Sequence, residues 1–250
     1  MTFIKNRAAA EKLSAYCDRV LNLRDAKLGE MHYYQSLPLC VIEAVFSINV
    51  RYESTKNTVI KYCNYFKLNR VRNKNNALPT RRRQESIAIF VKKFEKLGIE
   101  KFTEDVFDNR QRTSTTNGIL KSEAVYRFAR TLKSHKVNYF QDVGEVINRN
   151  DFENDIKSIP GQKSGISLSY FYMMAGADSL IKPDRHVWNF VKKGLNEDVS
   201  LHEAENLLYD SSRVLELKYP HITPRLLDNV IWNHQRSLAK RPINNRPASI

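Results

Sequence analysis

Apolar side chains recur at helical spacing along most of this 250-residue chain, and this periodicity restricts the fold more than any other feature. In residues 55–66, Val59, Ile60, Cys63 and Phe66 fall on one side of a helix with a period near 3.6. No segment alternates strictly between apolar and polar residues, as a half-buried strand does. Glycine and proline, with 8 residues each, are sparse. The sequence therefore predicts an all-α fold.

The predicted helices cover most of the chain. They span residues 3–23, 37–50, 55–66, 84–97, 122–134, 142–149, 152–158, 200–217 and 223–239. Ser200, followed three residues later by Glu203, predicts a capping box at the start of one of these helices.

Two basic segments interrupt the helical pattern. Residues 67–83 contain no acid and are predicted to form a loop, here called the basic loop. Its cations are Lys67, Arg70, Arg72, Lys74, Arg81, Arg82 and Arg83. The loop is either a clamp on a DNA backbone or a solvated surface loop. The tail beyond Ala239 is also basic, with Lys240, Arg241 and Arg246.

The formal net charge of +14 indicates a polyanionic partner, most often nucleic acid, although a basic protein without such a partner is the alternative. The 3 cysteines are widely spaced without a CxxC pair, which excludes a four-cysteine zinc or iron–sulfur site. They indicate a reducing, cytoplasmic compartment. The N-terminus lacks the apolar core of a secretory signal, and no apolar run approaches the ~20 residues of a membrane span.

Residues 159–188 contain a glycine-rich turn, an apolar helix and an Asp that opens a second helix. Gly161 and Gly165 permit backbone conformations closed to other residues, and the amides of such a turn favour a phosphate. The alternative is an ordinary corner between two helices. Asp184, 19 residues after Gly165, is either a helix N-cap or a catalytic carboxylate beside His186.

This segment resembles the helix-hairpin-helix motif and catalytic Asp of the HhH-GPD superfamily of DNA glycosylases, whose pattern reads LPGxGxKxA and then VDTHVxR. The matching residues are Ile159-Pro160-Gly161, the Ser167 position and Asp184-Arg185-His186-Val187. Residues 37–57 are similar to the family helix and its SxQ loop, with Asn49 at the Gln position. Residues 118–124, GILKSEA, are similar to the family's GLYNSKA. The resemblance covers residues 37–191.

Two departures from the family pattern change the chemistry that the resemblance implies. Lys163 occupies the position of the second hairpin glycine. Gly165 occupies the position at which bifunctional members carry a Schiff-base lysine. The cysteine quartet of the iron–sulfur branch is absent as well. The resemblance therefore implies a monofunctional glycosylase with no β-lyase activity and no cofactor, with room for a structural monovalent cation at the hairpin.

The resemblance also implies roles for individual residues. Asp184 stabilises the oxocarbenium charge at the sugar and orients or deprotonates water. The residues implied to hold the DNA backbone are Gly161, Lys163, Gly165, Arg185 and His186. The candidate wedges for the space left by a flipped base are Asn49, Ile119 and Leu120. Core packing is the alternative for Ile119 and Leu120, and a turn is the alternative for Asn49. Aromatic residues that are candidates to stack on the base are Tyr33, Tyr34, Tyr170, Tyr172, Trp188 and Trp232. The clamp is expected to contain Arg70, Arg72, Arg81, Arg82 and Arg83.

The implied architecture has a helical barrel lobe, residues 36–178, and a second lobe made from residues 1–35 and 179–250, with the cleft at their junction. The implied partner is double-stranded DNA with a damaged or modified base, bound by a cytoplasmic monomer that is nucleoid-associated if the source is bacterial. Three alternatives stay open. They are an anti-phage glycosylase acting on a hypermodified viral pyrimidine, a non-catalytic DNA-binding module, and lyase or nuclease action through another lysine.

Overall fold

The computed structural model describes residues 2–72, 78–179, 181 and 184–240 and confirms the all-α prediction. Its helices are α1 (Thr2–Val20), α2 (Leu37–Phe46), α3 (Tyr52–Phe66), α4 (Ile87–Leu97), α5 (Ile99–Lys101), α6 (Lys121–Ser134), α7 (Asn150–Lys157), α8 (Ile166–Met174), α9 (Arg185–Leu195), α10 (Leu201–Glu216) and α11 (Pro224–Lys240). The described residues form no β-strand beyond two isolated antiparallel bridges, Tyr34 with Val71 and Arg112 with Leu120.

Side-chain caps fix the starts of several helices. Ser86 Oγ accepts a hydrogen bond from the amide of Ile89, 3.1 Å away, at the start of α4. The predicted capping box of α10 is confirmed: Ser200 Oγ accepts from the amide of Glu203 at 3.2 Å, and Glu203 Oε2 accepts from the amide of Ser200 at 2.8 Å. These bonds satisfy amides that the first turn of a helix leaves without partners.

Two predicted helices are shorter than expected. The segment predicted as a helix over 142–149 forms only a 3-10 turn, Phe140–Glu145. Asp142 Oδ2 accepts from the amides of Asn138 and Tyr139, both at 2.9 Å, and Asn148 has a φ of +63°, which ends any helical path. Likewise, the helix predicted over 37–50 ends at Phe46, because Asn49 takes a left-handed conformation with a φ of +56°.

The chain divides into two compact units. The terminal unit takes Met1–Leu28 and Asp178–Ile250, and the central unit takes Gly29–Ala177. The lobes drawn from the resemblance have their boundaries before residues 36 and 179. Each unit has a core of its own.

In the terminal unit, α1, α9, α10 and α11 pack around one apolar cluster, with α1 lying along α10. Its most deeply buried members are Leu13, Cys17, Phe190, Val191, Leu208, Leu227 and Ile231. Removing this apolar surface from water stabilises the packing.

In the central unit, α2 is the innermost helix, since every one of its residues is buried. It packs against α3, α6 and α8. An aromatic cluster lies in the same core, where the rings of Phe94 and Phe102 stack with centroids 3.5 Å apart. The charged residue in α2, Glu43, accepts a hydrogen bond from Tyr34 Oη at 3.0 Å, since a carboxylate inside a core needs a donor.

No helix in the described ranges is long and apolar enough to cross a membrane.

Candidate functional site

The turn between α7 and α8, residues 158–165, is here called the glycine turn. Gly161 and Gly165 both take left-handed conformations, with φ of +86° and +73°. Gln162, which is buried, accepts a hydrogen bond from Ser167 Oγ, so the closed turn is held to the first residues of α8. Glycine adopts this left-handed conformation without the strain that a Cβ would cause, and this explains why glycine occupies both positions.

The glycine turn exposes backbone amides. Gly161, Lys163 and Ser164 lie on the surface, and their amides have no acceptor among the residues that the structure describes. Exposed amides clustered in a left-handed turn form a concave donor set for an anion. Lys163, which occupies the position of the second hairpin glycine in the family pattern, adds an exposed cation to this turn.

Residues 111–121 form a second turn, here called the polar hairpin. Its two sides are joined by backbone hydrogen bonds from Thr113 N to Ile119 O at 2.9 Å and from Lys121 N to Gln111 O at 2.8 Å. The tip of the hairpin is the exposed segment Ser114–Asn117. The hairpin therefore projects four polar residues immediately before α6.

Two contacts bring the glycine turn, the polar hairpin and the turn after α2 together in the central unit. A Cβ at Gly161 would overlap Thr113 Cβ, so glycine allows the two turns to approach closely. The Lys121 Nζ donates to the carbonyl oxygens of Phe46 at 3.0 Å and Ile48 at 2.7 Å. The three segments that resemble family motifs before residue 170 thus meet at one place, although they are far apart in the sequence.

The three predicted wedge residues lie in different parts of these turns. Asn49 is exposed at a left-handed turn beside the carbonyl groups that Lys121 binds. Ile119 and Leu120 are half-buried in the returning side of the polar hairpin, and the exposed tip is Ser114–Asn117. The structure therefore does not place these two candidate wedges at the tip, because the chain reverses direction before it reaches them.

In the terminal unit, Asp184 is the N-cap of α9. Its Oδ1 accepts hydrogen bonds from the amides of His186 at 2.8 Å and Val187 at 3.0 Å. Its Oδ2 accepts none from the residues described, and the side chain is partly exposed. Among the described residues, the carboxylate therefore makes its capping bonds through one oxygen alone.

The neighbours of Asp184 on α9 have different environments. Arg185 is exposed and His186 is half-buried. Trp188 packs against the core of the terminal unit, donates from Nε1 to the carbonyl of Val199 at 2.7 Å, and lies under the ammonium of Lys192. Because both its polar atom and one ring face have partners, Trp188 has a structural role in α9.

Three of the tyrosines predicted to stack on a base belong to the core. Tyr34 is 1% exposed and donates to Glu43, and Tyr172 is 5% exposed and donates to the carbonyl of Val146 at 3.1 Å. Tyr170 is 7% exposed and donates to Met31 Sδ at 2.8 Å. Burial raises the pKa of the Tyr34 and Tyr172 phenols. The structure corrects the prediction for these three residues, since a buried ring offers no face for stacking. Tyr33 is half-buried, with the guanidinium of Arg72 over its ring.

The basic loop is partly fixed to the core. Arg72 is buried and donates to the carbonyl of Tyr34 at 2.7 Å. The structure therefore corrects the prediction that Arg72 belongs to the DNA clamp, because its side chain lies in the core. Arg70 pairs with Glu30 at 2.8 Å and Arg81 pairs with Asp142 at 2.6 Å.

The other two arginines of the predicted clamp differ from Arg70, Arg72 and Arg81. Arg82 and Arg83 are exposed, and their side chains form no ion pair within the described part of the chain. Lys74, Arg241 and Arg246 lie outside the described residues. Of the predicted clamp, Arg82 and Arg83 are therefore the two arginines that are exposed and have no acidic partner among the described residues.

No group of three or more metal-ligating side chains occurs in the described ranges. The cysteines Cys17, Cys40 and Cys63 are buried and form no disulfide, and burial raises the pKa of the Cys17 and Cys63 thiols to about 12. Protonated, buried thiols are poor metal ligands. The monovalent cation at the glycine turn stays a prediction.

The periodicity argument missed Thr113, Lys121 and the tip residues Ser114–Asn117. The run STTNG at 114–118 is a turn signal, so the sequence contains a local indication of the hairpin tip. For Lys121, a cation at the start of a helix reads as a surface residue, and only the packing of α6 against α2 places its ammonium in the core.

Comparisons with known proteins identify a family without a described activity. No curated protein and no solved structure matches the chain. A family model described as a domain of unknown function, DUF8548, matches residues 11–236. Because this match covers most of the chain and spans both units, the protein belongs to the DUF8548 family.

Proposed function

We propose that this protein is a monofunctional DNA glycosylase with the two-lobed HhH-GPD fold. In this proposal it flips a damaged or modified base out of duplex DNA and hydrolyses the N-glycosidic bond with Asp184. Water attacks the anomeric carbon, the bond to the base breaks, and the products are a free base and an abasic site. Base flipping costs a few kcal/mol, which binding to the DNA backbone must offset.

The meeting of three turns in the central unit is the observation that carries the proposal. The glycine turn, the polar hairpin and the turn at Asn49 each resemble a DNA-contacting segment of HhH-GPD proteins, and the contacts of Gly161 and Lys121 bring them together. Exposed amides at the first turn suit a phosphate, and exposed polar residues at the other two suit contacts with DNA next to it. A chance resemblance in three segments gives no reason for them to be adjacent.

The geometry of Asp184 supports a role in hydrolysis. The bonds from the His186 and Val187 amides orient the carboxylate through Oδ1, while Oδ2 has no donor in the described chain. A fixed carboxylate with one free oxygen can stabilise positive charge on a sugar and accept a proton from water. Orientation by the helix means that little reorganisation is needed during the reaction.

An amine nucleophile has less support than water. Gly165 occupies the Schiff-base position. Lys121, which links the polar hairpin to the end of α2, is 3% exposed and donates to two backbone carbonyls. A lysine held in this way cannot reach a sugar without leaving its partners. We therefore propose that the protein has no β-lyase activity, and borohydride trapping of a DNA adduct would contradict this part.

A non-catalytic DNA-binding protein is the second candidate. It is favoured by the capping bonds of Asp184, because they give this residue a structural purpose that needs no catalysis. Both candidates bind duplex DNA, and only the first releases a base.

The substitution Asp184→Asn separates the two. Asparagine caps helices as well as aspartate does, so α9 keeps its cap while the negative charge is lost. On a duplex that releases its base with the wild type, we expect the excision rate to fall by about 100-fold or more, with unchanged affinity and melting temperature. Excision at the wild-type rate would show that Asp184 is not the catalytic carboxylate.

A panel of duplexes with different modified bases tests which base the protein releases. Duplexes should contain alkylated purines, deaminated or mismatched pyrimidines, 8-oxoguanine and hypermodified pyrimidines of the kind found in phage DNA. Mass spectrometry of the released bases then identifies the substrate and distinguishes repair from defence against phage. If no member of the panel yields a free base or an abasic site, the non-catalytic candidate is favoured.

A further inference from the structure

The tip of the polar hairpin, Ser114–Asn117, has no role in the predicted site. We infer that this tip is a contact site for the sugar–phosphate backbone of duplex DNA, next to the glycine turn. The inference relies on the proposed DNA partner, but it does not depend on base excision.

The hairpin is built to hold its tip in one conformation. Arg112 pairs across the hairpin with Leu120 in an antiparallel bridge, and Arg112 Nη1 donates to the carbonyl of Gly118 at 2.7 Å. A Cβ at Gly118 would overlap the backbone of Ser114, so only glycine closes the turn in this form. A tip held by such bonds loses little conformational entropy when it binds a partner.

The chemistry of the tip fits a phosphate backbone. Ser114, Thr115, Thr116 and Asn117 are all exposed, and their side chains have no hydrogen-bond partner in the described ranges. Residues 111–121 contain no acid, and the cation next to the tip, Arg112, is exposed. Hydroxyl and amide groups donate to phosphate oxygens, and contacts of this kind position DNA without reading its bases. An apolar wedge is absent from the tip itself.

The position of the tip next to the glycine turn gives it a place in the interface. Thr113, which precedes the tip, contacts Gly161, whose amide is one of the exposed donors. A DNA strand bound by the glycine turn therefore passes close to the tip hydroxyl groups.

Binding is tested on a duplex with a tetrahydrofuran abasic-site analogue, with every variant made in the Asp184→Asn background. The triple substitution Ser114→Ala, Thr115→Ala and Thr116→Ala removes three hydroxyl groups and should weaken binding by about 5- to 20-fold. Thr116→Glu should weaken binding further through repulsion. Thr116→Lys should strengthen binding and steepen the dependence of log K on log salt by about 1.

Thr131→Ala with Ser134→Ala on the exposed side of α6 is the matched control, since it removes hydroxyl groups at the other end of that helix. Its affinity should stay within about 2-fold of the parent. Equal affinities for Thr116→Glu, Thr116→Lys and the parent would overturn the inference, as would the absence of any duplex binding. If the tip variants behave as expected while no substrate yields a free base, the inference stands and the glycosylase proposal fails.

Discussion

At the scale of single residues, Lys121 is a buried charge at the junction of two segments of the central unit. Its ammonium is buried, its hydrogen-bond acceptors are two backbone carbonyls at the end of α2, and no carboxylate pairs with it in the described residues. Burial lowers the pKa of Lys121 to about 8, from 10.5. Lys121 therefore links the polar hairpin to the turn after α2. Burying its charge costs desolvation free energy, which an exposed lysine would not lose.

The shifted pKa makes stability depend on pH in a defined direction. Between pH 8 and pH 10.5 the unfolded chain holds a proton on Lys121 that the folded chain has lost, so the free energy of unfolding rises with pH. Below pH 8 both states are protonated, and the full cost of burying the charge is present. The effect of this group is complete above pH 10.5.

We expect Lys121→Met to remove this dependence. The free energy of unfolding of the wild type, relative to the variant, should rise by on the order of 1–3 kcal/mol between pH 8 and pH 10.5. Urea denaturation of both proteins across this interval measures the difference. Lys133→Met, at an exposed position of the same helix, is the control and should show no such rise. Parallel curves for wild type and Lys121→Met would contradict the assignment.

Two arginines of the basic loop show why the roles of individual residues could be predicted only in part from the sequence. Arg72 and Arg82 lie in the same basic loop and are indistinguishable by composition. One donates to a backbone carbonyl inside the core, and the other is exposed without an ion pair in the described chain. The difference arises because residues 70–72 pair with residues 33–35, which the sequence pattern does not reveal. Asp184 was more predictable, since an N-cap depends on local sequence.

At the scale of elements, the glycine turn depends on two separate properties of its glycines. Gly165 needs a left-handed conformation, and a Cβ there would approach only the flexible end of Lys157, at 3.1 Å from Cε. Gly161 needs a left-handed conformation and also the absence of a side chain against Thr113. The first property follows from the turn itself, whereas the second arises from contact with another element.

Alanine substitutions separate these two properties. Gly165→Ala should lower the free energy of unfolding by about 1–2 kcal/mol, the cost of a left-handed residue with a Cβ. Gly161→Ala should lower it by about 1–3 kcal/mol more, because Thr113 and the polar hairpin must move. Thermal or urea denaturation measures both, and Thr113→Gly combined with Gly161→Ala should recover part of the additional loss. Equal losses for the two single substitutions would show that the turns are not packed as described.

Helix boundaries illustrate the limit of periodicity at this scale. The starts of α6 and α10 follow from local signals and lie within one residue of the predicted positions. The segment at 142–149 has helical spacing but forms only the 3-10 turn Phe140–Glu145, and Asn148 after it takes a left-handed conformation. An apolar pattern carries no information about the backbone conformation of a polar residue such as Asn148, so it cannot place the end of this element.

At the scale of the whole molecule, the excess of positive charge predicts how affinity for duplex DNA responds to salt. If cations neutralise phosphates, log K falls linearly with log salt, by roughly 0.9 per phosphate contact. Many of the cations are paired with acids, among them Arg70, Arg81 and Arg110. Each such pair contributes nothing to the net charge, so the value of +14 is the excess of lysine and arginine that remains after every acid is matched with one cation.

Arg82→Gln with Arg83→Gln should reduce the slope of log K against log salt by about 1.8, if each arginine contacts one phosphate. Fluorescence anisotropy with a labelled duplex at several salt concentrations measures the slope. Lys96→Gln with Lys133→Gln is the control, since both lysines are exposed and the change in net charge is the same. A similar reduction in both double variants would indicate a response to overall charge and not to a clamp.

The sequence by itself determined the all-α class, most helix positions and the two glycines of the glycine turn, and it offered a helix cap as one of two roles for Asp184. These features depend on residues within a turn or two of each other, where periodicity, caps and glycine act directly. Only the tertiary structure decided which cations are buried, which aromatic rings belong to the core, and that Gly161 meets Thr113 while Lys121 binds the end of α2. Those outcomes depend on packing between segments distant in sequence, which no local pattern encodes.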